Sequence, residues 1–240
     1  MRANEGSRSA APQATEGAAP PPRREVICAD ALTWLADDPP LEGAAVITSL
    51  PDVSELGGVD FAGWRAFFDR ALAAIFAALP PGSPAIFYQT DIKVDGRWID
   101  KGYLCQRAAE EAGVDLLWHR IVCRKAPGSV TYGRPAYAHL LAFARDLRDD
   151  PRWALPDVLA DGGWMPWRRA LGAEAARLAC RYVVKSTPLR TIVDPFCGHG
   201  TILAVANAMG LDAIGVELSI KRCRKAAKLA LPEPGAANDR

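Results

Sequence analysis

The clearest chemical signal in the sequence lies in residues 191–201, which read TIVDPFCGHGT. An apolar strand pattern ends at Asp194, and a Gly-x-Gly turn then leads into a helix pattern. Glycines at such a turn allow a ligand to approach the backbone closely at the carboxyl end of a strand. A second acid, Glu217, ends the next strand pattern, where a carboxylate can accept hydrogen bonds from ribose hydroxyls. These residues therefore form a candidate ligand-binding site at the carboxyl edge of a sheet.

Two common phosphate-binding signatures are excluded. The dinucleotide fingerprint G-x-G-x-x-G requires a third glycine where this chain has Leu203. The phosphate loop of nucleotide hydrolases requires Gly-Lys-Ser/Thr, which does not follow the Gly198-x-Gly200 turn. The turn therefore favours a ligand other than a dinucleotide or a nucleoside triphosphate.

The segment DPFCGHGT followed by IGVEL resembles motif I and the ribose-binding acid of S-adenosylmethionine-dependent methyltransferases. The closest resemblance is to the amino-methyltransferases that modify DNA or RNA bases. It implies S-adenosylmethionine as the cofactor, with Glu217 at the ribose. By position, the resemblance assigns the methionine part of the cofactor to a loop formed by Asp194, Pro195, Phe196, Cys197, Gly198, Gly200 and Thr201.

The order of the motifs resembles the circularly permuted β-type enzymes of this group, because motif I lies near the C-terminus. In that arrangement the catalytic motif precedes it, and the matching segment is TSLPD at residues 48–52, at the end of an apolar strand pattern. The resemblance also places Asp30, in the segment CADAL, near the cofactor adenine.

Methyl transfer requires an acceptor held in line with the methyl group and stabilisation of the cation that forms on it. The family motif is Asp/Asn/Ser-Pro-Pro-Tyr/Phe/Trp, whose first side chain and second carbonyl accept hydrogen bonds from an exocyclic amine. Here Ser49 and the Leu50 carbonyl fill these roles, followed by Pro51. Asp52 replaces the aromatic residue that stacks on the base. It can accept a proton or bind a cationic or hydroxylated acceptor, or it can be a strand-end cap with an Asx-type turn.

Because Asp52 cannot stack, a flipped base needs aromatic contacts from elsewhere. Simple packing is the alternative for each aromatic candidate, and a solvated surface is the alternative for the polar ones. A predicted Asp-Gly hairpin at residues 91–101 can cover the site. The candidate acceptor contacts are Tyr88, Gln89, Asp91, Tyr132, Arg134, Tyr137, Trp164 and Arg168, with Arg134, Arg168 and Arg169 as phosphate contacts.

Strand and helix patterns alternate along the chain. Seven segments read as strands, at residues 25–30, 44–50, 85–90, 116–124, 139–145, 191–194 and 213–218. Helix patterns cover residues 61–79, 100–112, 173–185, 201–209 and 219–229. We therefore predict an α/β fold with a doubly wound, mainly parallel seven-stranded sheet. The resemblance makes it a Rossmann-like class I methyltransferase fold, circularly permuted, so that strand 213–218 lies between strands 191–194 and 25–30.

Composition sets the remaining limits. The chain has 240 residues, a net charge of +1 and 50% hydrophobic residues, which excludes a wholly disordered protein. It has no apolar run long enough to span a bilayer and no secretory h-region. We predict disordered tails at residues 1–23 and 231–240 around one methyltransferase domain at 24–230. Six cysteines without a C-x-x-C pair favour reduced thiols in the cytoplasm and no metal site.

These observations predict methyl transfer to a nitrogen on a nucleic acid base. RNA is favoured over DNA because the chain has no room for a separate target-recognition domain. Two alternatives remain open: methylation of a small molecule or a protein, and a non-catalytic cofactor-binding subunit. Residues 163–230 hold 11 basic and 4 acidic side chains, which leaves nucleic acid open on one face, although a solvated helix face explains them equally well. No membrane partner is expected, and the oligomeric state stays open.

Overall fold

The computed structural model of the chain describes residues 20–37, 39, 41–167 and 170–232. Residues 1–19 and 233–240, which hold most of the two predicted tails, lie outside the described residues. The strands are β1 Arg24–Cys28, β2 Ala44–Thr48, β3 Ala85–Gln89, β4 Ile92–Val94, β5 Arg97–Ile99, β6 Asp115–Cys123, β7 Tyr137–Ala144, β8 Val158–Leu159, β9 Thr191–Asp194 and β10 Asp212–Glu217. The α-helices are α1 Ala31–Ala36, α2 Phe61–Ala78, α3 Lys101–Glu111, α4 Ala173–Ser186, α5 Thr201–Ala208 and α6 Ile220–Ala226, and Val53–Glu55 and Pro151–Trp153 form short 3₁₀ turns.

Eight of the described strands form one sheet in the order β1-β10-β9-β2-β3-β7-β6-β8. Five neighbouring strands, from β1 to β3, run parallel, and β7 is antiparallel to both β3 and β6. All seven predicted strands are present, so the predicted fold class is confirmed. The sheet has one more strand than predicted, because the short β8 pairs with the edge of β6.

The predicted neighbours of the C-terminal strand are confirmed. β10 lies between β9 and β1, parallel to both, with Gly215 paired to Asp194 on one side and to Val26 on the other. The N-terminal strand β1 therefore pairs with a strand from the far end of the chain. The description of this order as a circular permutation stays a prediction.

Alternate residues of the parallel strands face opposite layers of helices, as expected for a sheet buried on both sides. In β2, Ala45 and Ile47 belong to a core shared with α4 and α5, whereas Ala44 and Val46 belong to a core shared with α2 and α3. The sheet is therefore packed between two layers of helices, and the loops at its carboxyl edge begin at strands that are covered on both faces.

Helix boundaries follow the chemistry of their end residues. The Asp60 side chain accepts a hydrogen bond from the Gly63 N–H at the start of α2, and the Pro80-Pro81 pair follows its end. Helix α1 did not appear in the sequence patterns, because six residues are too few to show helical periodicity. None of the helices in the described part of the chain is long and apolar enough to cross a membrane.

The predicted hairpin is present as β4 and β5. Its turn residues Asp95 and Gly96 have positive φ angles of 49° and 74°, as a two-residue turn of the I′ type requires. The hairpin connects the carboxyl end of β3 to the start of α3, so it lies at the same edge of the sheet as the predicted site.

Arg24 connects β1 to the C-terminal elements. Its guanidinium donates hydrogen bonds to Asn207 Oδ1 at 2.6 Å and to the Leu229 carbonyl at 2.7 Å, and burial lowers its pKa. We expect Arg24→Ala to lower the free energy of unfolding by about 1–3 kcal/mol, because charged donors are removed from partly buried acceptors. Urea denaturation measures this change.

Arg23→Ala is the matched control, since Arg23 is exposed and takes part in the described hydrogen bonds through its backbone groups. Equal stability losses in the two variants would contradict the role of the Arg24 side chain.

Candidate active site

A cavity of about 770 Å³ opens at the carboxyl edge of the parallel strands. The loops after β1, β2, β9 and β10 all contribute to it, as expected where ligands bind in open α/β sheets. Eleven residues that the sequence predicted as catalytic or cofactor-binding line it, namely Asp30, Ser49, Leu50, Pro51, Asp194, Pro195, Phe196, Cys197, Gly198, Thr201 and Glu217.

The loop after β9 needs its glycines. Gly198 has a φ of +54° and Gly200 a φ of +85°. Residues other than glycine rarely adopt these backbone angles. A Cβ atom on Gly200 would lie 2.8 Å from the Ala226 Cα, so this glycine also lets α6 pack against the loop. Gly200 is outside the cavity lining and acts as the N-cap residue of α5.

A buried hydrogen bond joins the two predicted motifs. The Thr48 hydroxyl at the end of β2 donates to Asp194 Oδ1 at the end of β9 over 2.7 Å, and the Phe196 N–H donates to the same oxygen. Burial raises the pKa of Asp194 to about 7 despite these two donors, and the charge of Glu217 adds to the rise. The adjacency of β2 and β9 therefore sets the position of Ser49 relative to the Asp194 loop.

Two further carboxylates, Glu217 and Asp30, line the cavity. Glu217 accepts a hydrogen bond from the Ser219 N–H at 2.8 Å, and Asp30 caps α1 by accepting from the Thr33 N–H at 2.9 Å. Their strands, β10 and β1, are neighbours. The two acids predicted to contact the cofactor therefore follow or end neighbouring strands, and each accepts a hydrogen bond from a backbone N–H.

The segment Ser49-Leu50-Pro51 is held from the side of α2. The fully buried Trp64 donates its indole N–H to the Pro51 carbonyl at 3.0 Å. Glu55 accepts a hydrogen bond from the Asp52 N–H at 2.9 Å, which stabilises the turn that follows. Leu50 is buried, whereas Ser49 is partly exposed to the cavity.

Asp52 lies one residue beyond the cavity lining and is 6% exposed. One carboxylate oxygen pairs with the Lys101 ammonium and the other with the Arg134 guanidinium. Lys101 is itself buried, with its ammonium 5.9 Å from the centroid of the Trp64 ring. Both oxygens of Asp52 are therefore engaged by cations of the protein.

The polar candidates at the end of β3 lie inside the protein. Tyr88 and Gln89 are buried, and neither lines the cavity. Asp91 is 1% exposed and accepts hydrogen bonds from the Trp98 indole N–H at 3.0 Å and from the Lys101 backbone N–H at 2.8 Å. These contacts place Asp91 at the base of the hairpin, where its carboxylate is turned toward the protein rather than toward an acceptor.

Two histidines, His119 and His139, form a chain with Asp91. His139 Nε2 lies 3.0 Å from Asp91 Oδ2, and His119 Nε2 lies 2.9 Å from His139 Nδ1. Asp91, Asp100 and His139 are close enough for a shared ion, but Asp91 already has three protein partners. We therefore interpret this cluster as the connection between the hairpin, β7 and β6.

The remaining candidates are divided among several places. Tyr132 is 92% exposed in the β6–β7 connection, and Tyr137 is partly buried beside the His139 ring. Trp164 packs against the core, whereas Trp167 from the same segment lines the cavity. Arg168 and Arg169 lie outside the described residues.

Sequence patterns missed several residues of the cavity. Phe67 and Arg70 come from one face of α2, and Leu56 and Val59 come from the turn before it. Only the packing of α2 against the sheet brings them to the site. His199 also lines the cavity. Its pKa is lowered, mainly by burial and to a smaller extent by the charges of Lys225 and Arg222.

Comparisons with known proteins agree with this geometry. Residues 179–228 match a family model described as a DNA methylase. A protein described as a DNA modification methylase from Thermus thermophilus superposes with a TM-score of 0.63 at 22% identity, covering 85% of this chain and 92% of that one. The structure of that protein complexed with S-adenosyl-L-methionine gives the same values.

The PvuII DNA methyltransferase, described as cytosine-N4-specific, superposes with a TM-score of 0.66 at 15% identity, covering 85% of each chain. A search of curated protein sequences finds no match. At these identities the structures establish a shared fold. Together with the family model, they bear out the predicted resemblance to the amino-methyltransferases.

The Thr48–Asp194 hydrogen bond generates a pH-dependent prediction. The bond favours the charged carboxylate, so Thr48→Val should raise the Asp194 pKa further above about 7. An acid with a raised pKa stabilises the folded state at low pH and loses that stabilisation as the pH rises through its folded pKa. We expect the variant to lose about 1–3 kcal/mol of stability at pH 8.5 and distinctly less at pH 5.5.

Urea denaturation of both proteins at the two pH values measures the difference. Equal losses at pH 5.5 and pH 8.5 would show that Thr48 does not act through the ionisation of Asp194.

Asp52 generates a stability prediction. Asp52→Ala leaves Lys101 buried without its carboxylate, which should lower the free energy of unfolding by about 3–5 kcal/mol. Arg134→Ala removes a partner that is 31% exposed, so its cost should stay near 1 kcal/mol. Chemical denaturation of the two variants tests this order, and a loss under about 1 kcal/mol for Asp52→Ala would contradict it.

Proposed function

We propose that this chain transfers a methyl group from S-adenosylmethionine to a nitrogen of a nucleic acid base. The observation that carries the proposal is the arrangement of one cavity. Asp30, Glu217 and the loop after β9 line one part of it, and Ser49, Leu50 and Pro51 line another. This arrangement supports binding of a cofactor and an acceptor side by side.

The residues present fit the proposed cofactor. The volume of about 770 Å³ lies within the range of small-molecule sites, roughly 300–1,000 Å³. Glu217 and Asp30 supply carboxylate oxygens where ribose hydroxyls and the adenine would lie. Gly198 and the loop around it allow close approach to the backbone. When bound, the cofactor supplies an electrophilic methyl group on a sulfonium sulfur.

The acceptor side has two hydrogen-bond acceptors. The Ser49 hydroxyl oxygen and the Leu50 carbonyl can accept hydrogen bonds from an amine, which orients the nitrogen lone pair toward the methyl group. Methylation of an amine by the bound cofactor would place a positive charge on the acceptor nitrogen. The Ser49 hydroxyl oxygen and the Leu50 carbonyl would stabilise this charge until the proton leaves to water. Trp64 and the ion pairs of Asp52 keep these acceptors in place.

Asp52 has a positioning role in this proposal. Both oxygens of the Asp52 carboxylate are engaged by Lys101 and Arg134, and this buried side chain does not line the cavity where the acceptor would bind. The pairing favours the interpretation of Asp52 as an anchor of the turn over that of a general base. Base stacking is then left to aromatic residues outside the motif.

The class of nucleic acid is the finer part of the proposal. The related structures are described as DNA methylases, while residues 145–172 between β7 and α4 contain, in their described part, only a short 3₁₀ turn and β8. A region this small leaves little surface for reading a duplex sequence, and this supports RNA as the preferred acceptor. All six cysteines are free, which supports a cytoplasmic location.

Ser49→Ala and Glu217→Gln test the two halves of the cavity. We expect Ser49→Ala to lower kcat about 10- to 100-fold with unchanged cofactor affinity. Glu217→Gln should weaken cofactor binding about tenfold, because it removes a charged hydrogen-bond acceptor. Titration calorimetry with S-adenosylmethionine and transfer of a tritiated methyl group to total RNA, DNA or small metabolites measure the two effects.

Glu111→Gln is the matched control, since Glu111 is an exposed acid on α3 away from the cavity. Absence of S-adenosylmethionine binding by the unmodified chain would overturn the proposed function. Cofactor binding without transfer to any acceptor would favour a non-catalytic partner subunit.

A further inference from the structure

Two exposed segments flank the acceptor side of the cavity. The first is the hairpin, residues 92–99, and the second is the β6–β7 loop, residues 124–136. The hairpin follows the carboxyl end of β3, and the β6–β7 loop joins the carboxyl end of β6 to β7 at the same edge of the sheet. Neither segment contributes to the described lining of the cavity, so their outer surfaces are not used by the proposed cofactor.

Asp52 holds both segments in place. Lys101, just after the hairpin, binds one Asp52 oxygen, and Arg134 of the β6–β7 loop binds the other. The Lys101 backbone N–H also donates to Asp91, directly before the hairpin, and so closes its base. Three separate parts of the chain therefore meet at one carboxylate, one residue after Pro51 of the acceptor motif.

Each segment presents an exposed aromatic ring. Trp98 is 46% exposed although its indole N–H is bound to Asp91, so the ring is held in a fixed position with a surface open to solvent. Tyr132 is 92% exposed in the β6–β7 loop. Trp is highly buried on average, and two exposed aromatic rings beside the proposed acceptor motif are available for stacking on bases.

The charge of these segments is basic. The β6–β7 loop holds three cations, including Lys125, and no acid. The hairpin contains two basic residues, Lys93 and Arg97, and one acid. The Lys93 ammonium lies 5.3 Å from the Trp98 ring centroid. In an unpaired strand, bases can stack on exposed rings and phosphates can pair with cations beside those rings.

We propose that the hairpin and the β6–β7 loop form a binding surface for single-stranded nucleic acid. Trp98 and Tyr132 stack on bases that neighbour the acceptor, and Lys93, Arg97 and Lys125 face phosphates. A duplex covers the faces of its bases, whereas an unpaired strand exposes them for stacking. The inference rests on the proposed function, since it names the partner of the same site.

Fluorescence anisotropy of the full chain with a 5′-fluorescein-labelled strand of about 20 nucleotides tests this surface. The probes are one mixed sequence as DNA, the same sequence as RNA, and the DNA duplex. We expect Trp98→Ala and Tyr132→Ala each to weaken binding of the single strands about tenfold, because each removes one stacking contact. Trp98→Phe should stay within about threefold of the unmodified chain, since it keeps an aromatic face.

Leu116→Ala is the control, because Leu116 is 41% exposed at the start of β6, at the opposite edge of the sheet. It should bind the strands like the unmodified chain. Affinity should also fall as salt rises, because cations face phosphates. Two results would each overturn the proposal. One is that both alanine variants bind the single strands within about twofold of the unmodified chain. The other is that the chain binds the duplex at least as tightly as the single strands.

Calorimetry with S-adenosylmethionine separates this inference from the proposed function. Trp98→Ala and Tyr132→Ala should bind the cofactor like the unmodified chain, which also shows that they are folded. Aromatic-dependent strand binding by a chain that does not bind the cofactor would support the surface and overturn the proposed function. Normal cofactor binding without any single-strand binding would overturn the surface alone.

Discussion

The proposed acceptor side of the cavity depends on the buried carboxylate of Asp52. Its two oxygens pair with Lys101, which begins α3, and with Arg134, which lies in the β6–β7 loop. Removing charge from water is costly unless it is fully paired, so the three side chains stabilise one another only when all three segments are in place. The turn after β2, the base of the hairpin and the β6–β7 loop therefore form one unit. In the proposed site, this interaction gives a structural role to the acid at the position where the motif that it resembles has an aromatic residue.

The proposed cofactor side depends on a different constraint, the parallel pairing of β9 with β2 and β10. This pairing brings the end of β2 to the end of β9, where Thr48 binds Asp194 across 146 residues of sequence. Gly200 then allows α6 to pack against the loop, and Glu217 ends the neighbouring strand. The Thr48–Asp194 bond joins the proposed acceptor motif to the proposed cofactor loop, so strand pairing sets the distance between these two segments.

Sequence patterns predicted the sheet and most of the cofactor loop because both have local causes. Alternating strands and helices, and a glycine turn after a strand, can be read from neighbouring residues. The roles of polar residues near strand ends could not be read in the same way. Asp91 and Asp52 both follow strands, as acceptor-binding residues do, but their partners are Trp98, Lys101 and Arg134, which only folding brings to them. Phe67 and Arg70 on α2 carried no local signal, since their position at the cavity results from helix packing.

The sequence by itself determined the fold class, the glycine loop, the acid after the next strand and the position of the serine motif, because each depends on residue types at short spacing. The tertiary structure decided which of the acids face the cavity and which are neutralised inside the protein. It also decided that Trp167 rather than Trp164 lines the cavity, and that Trp98 and Tyr132 stay exposed beside it. Burial and pairing are properties of contacts between distant segments, and a linear pattern contains no information on which of those contacts form.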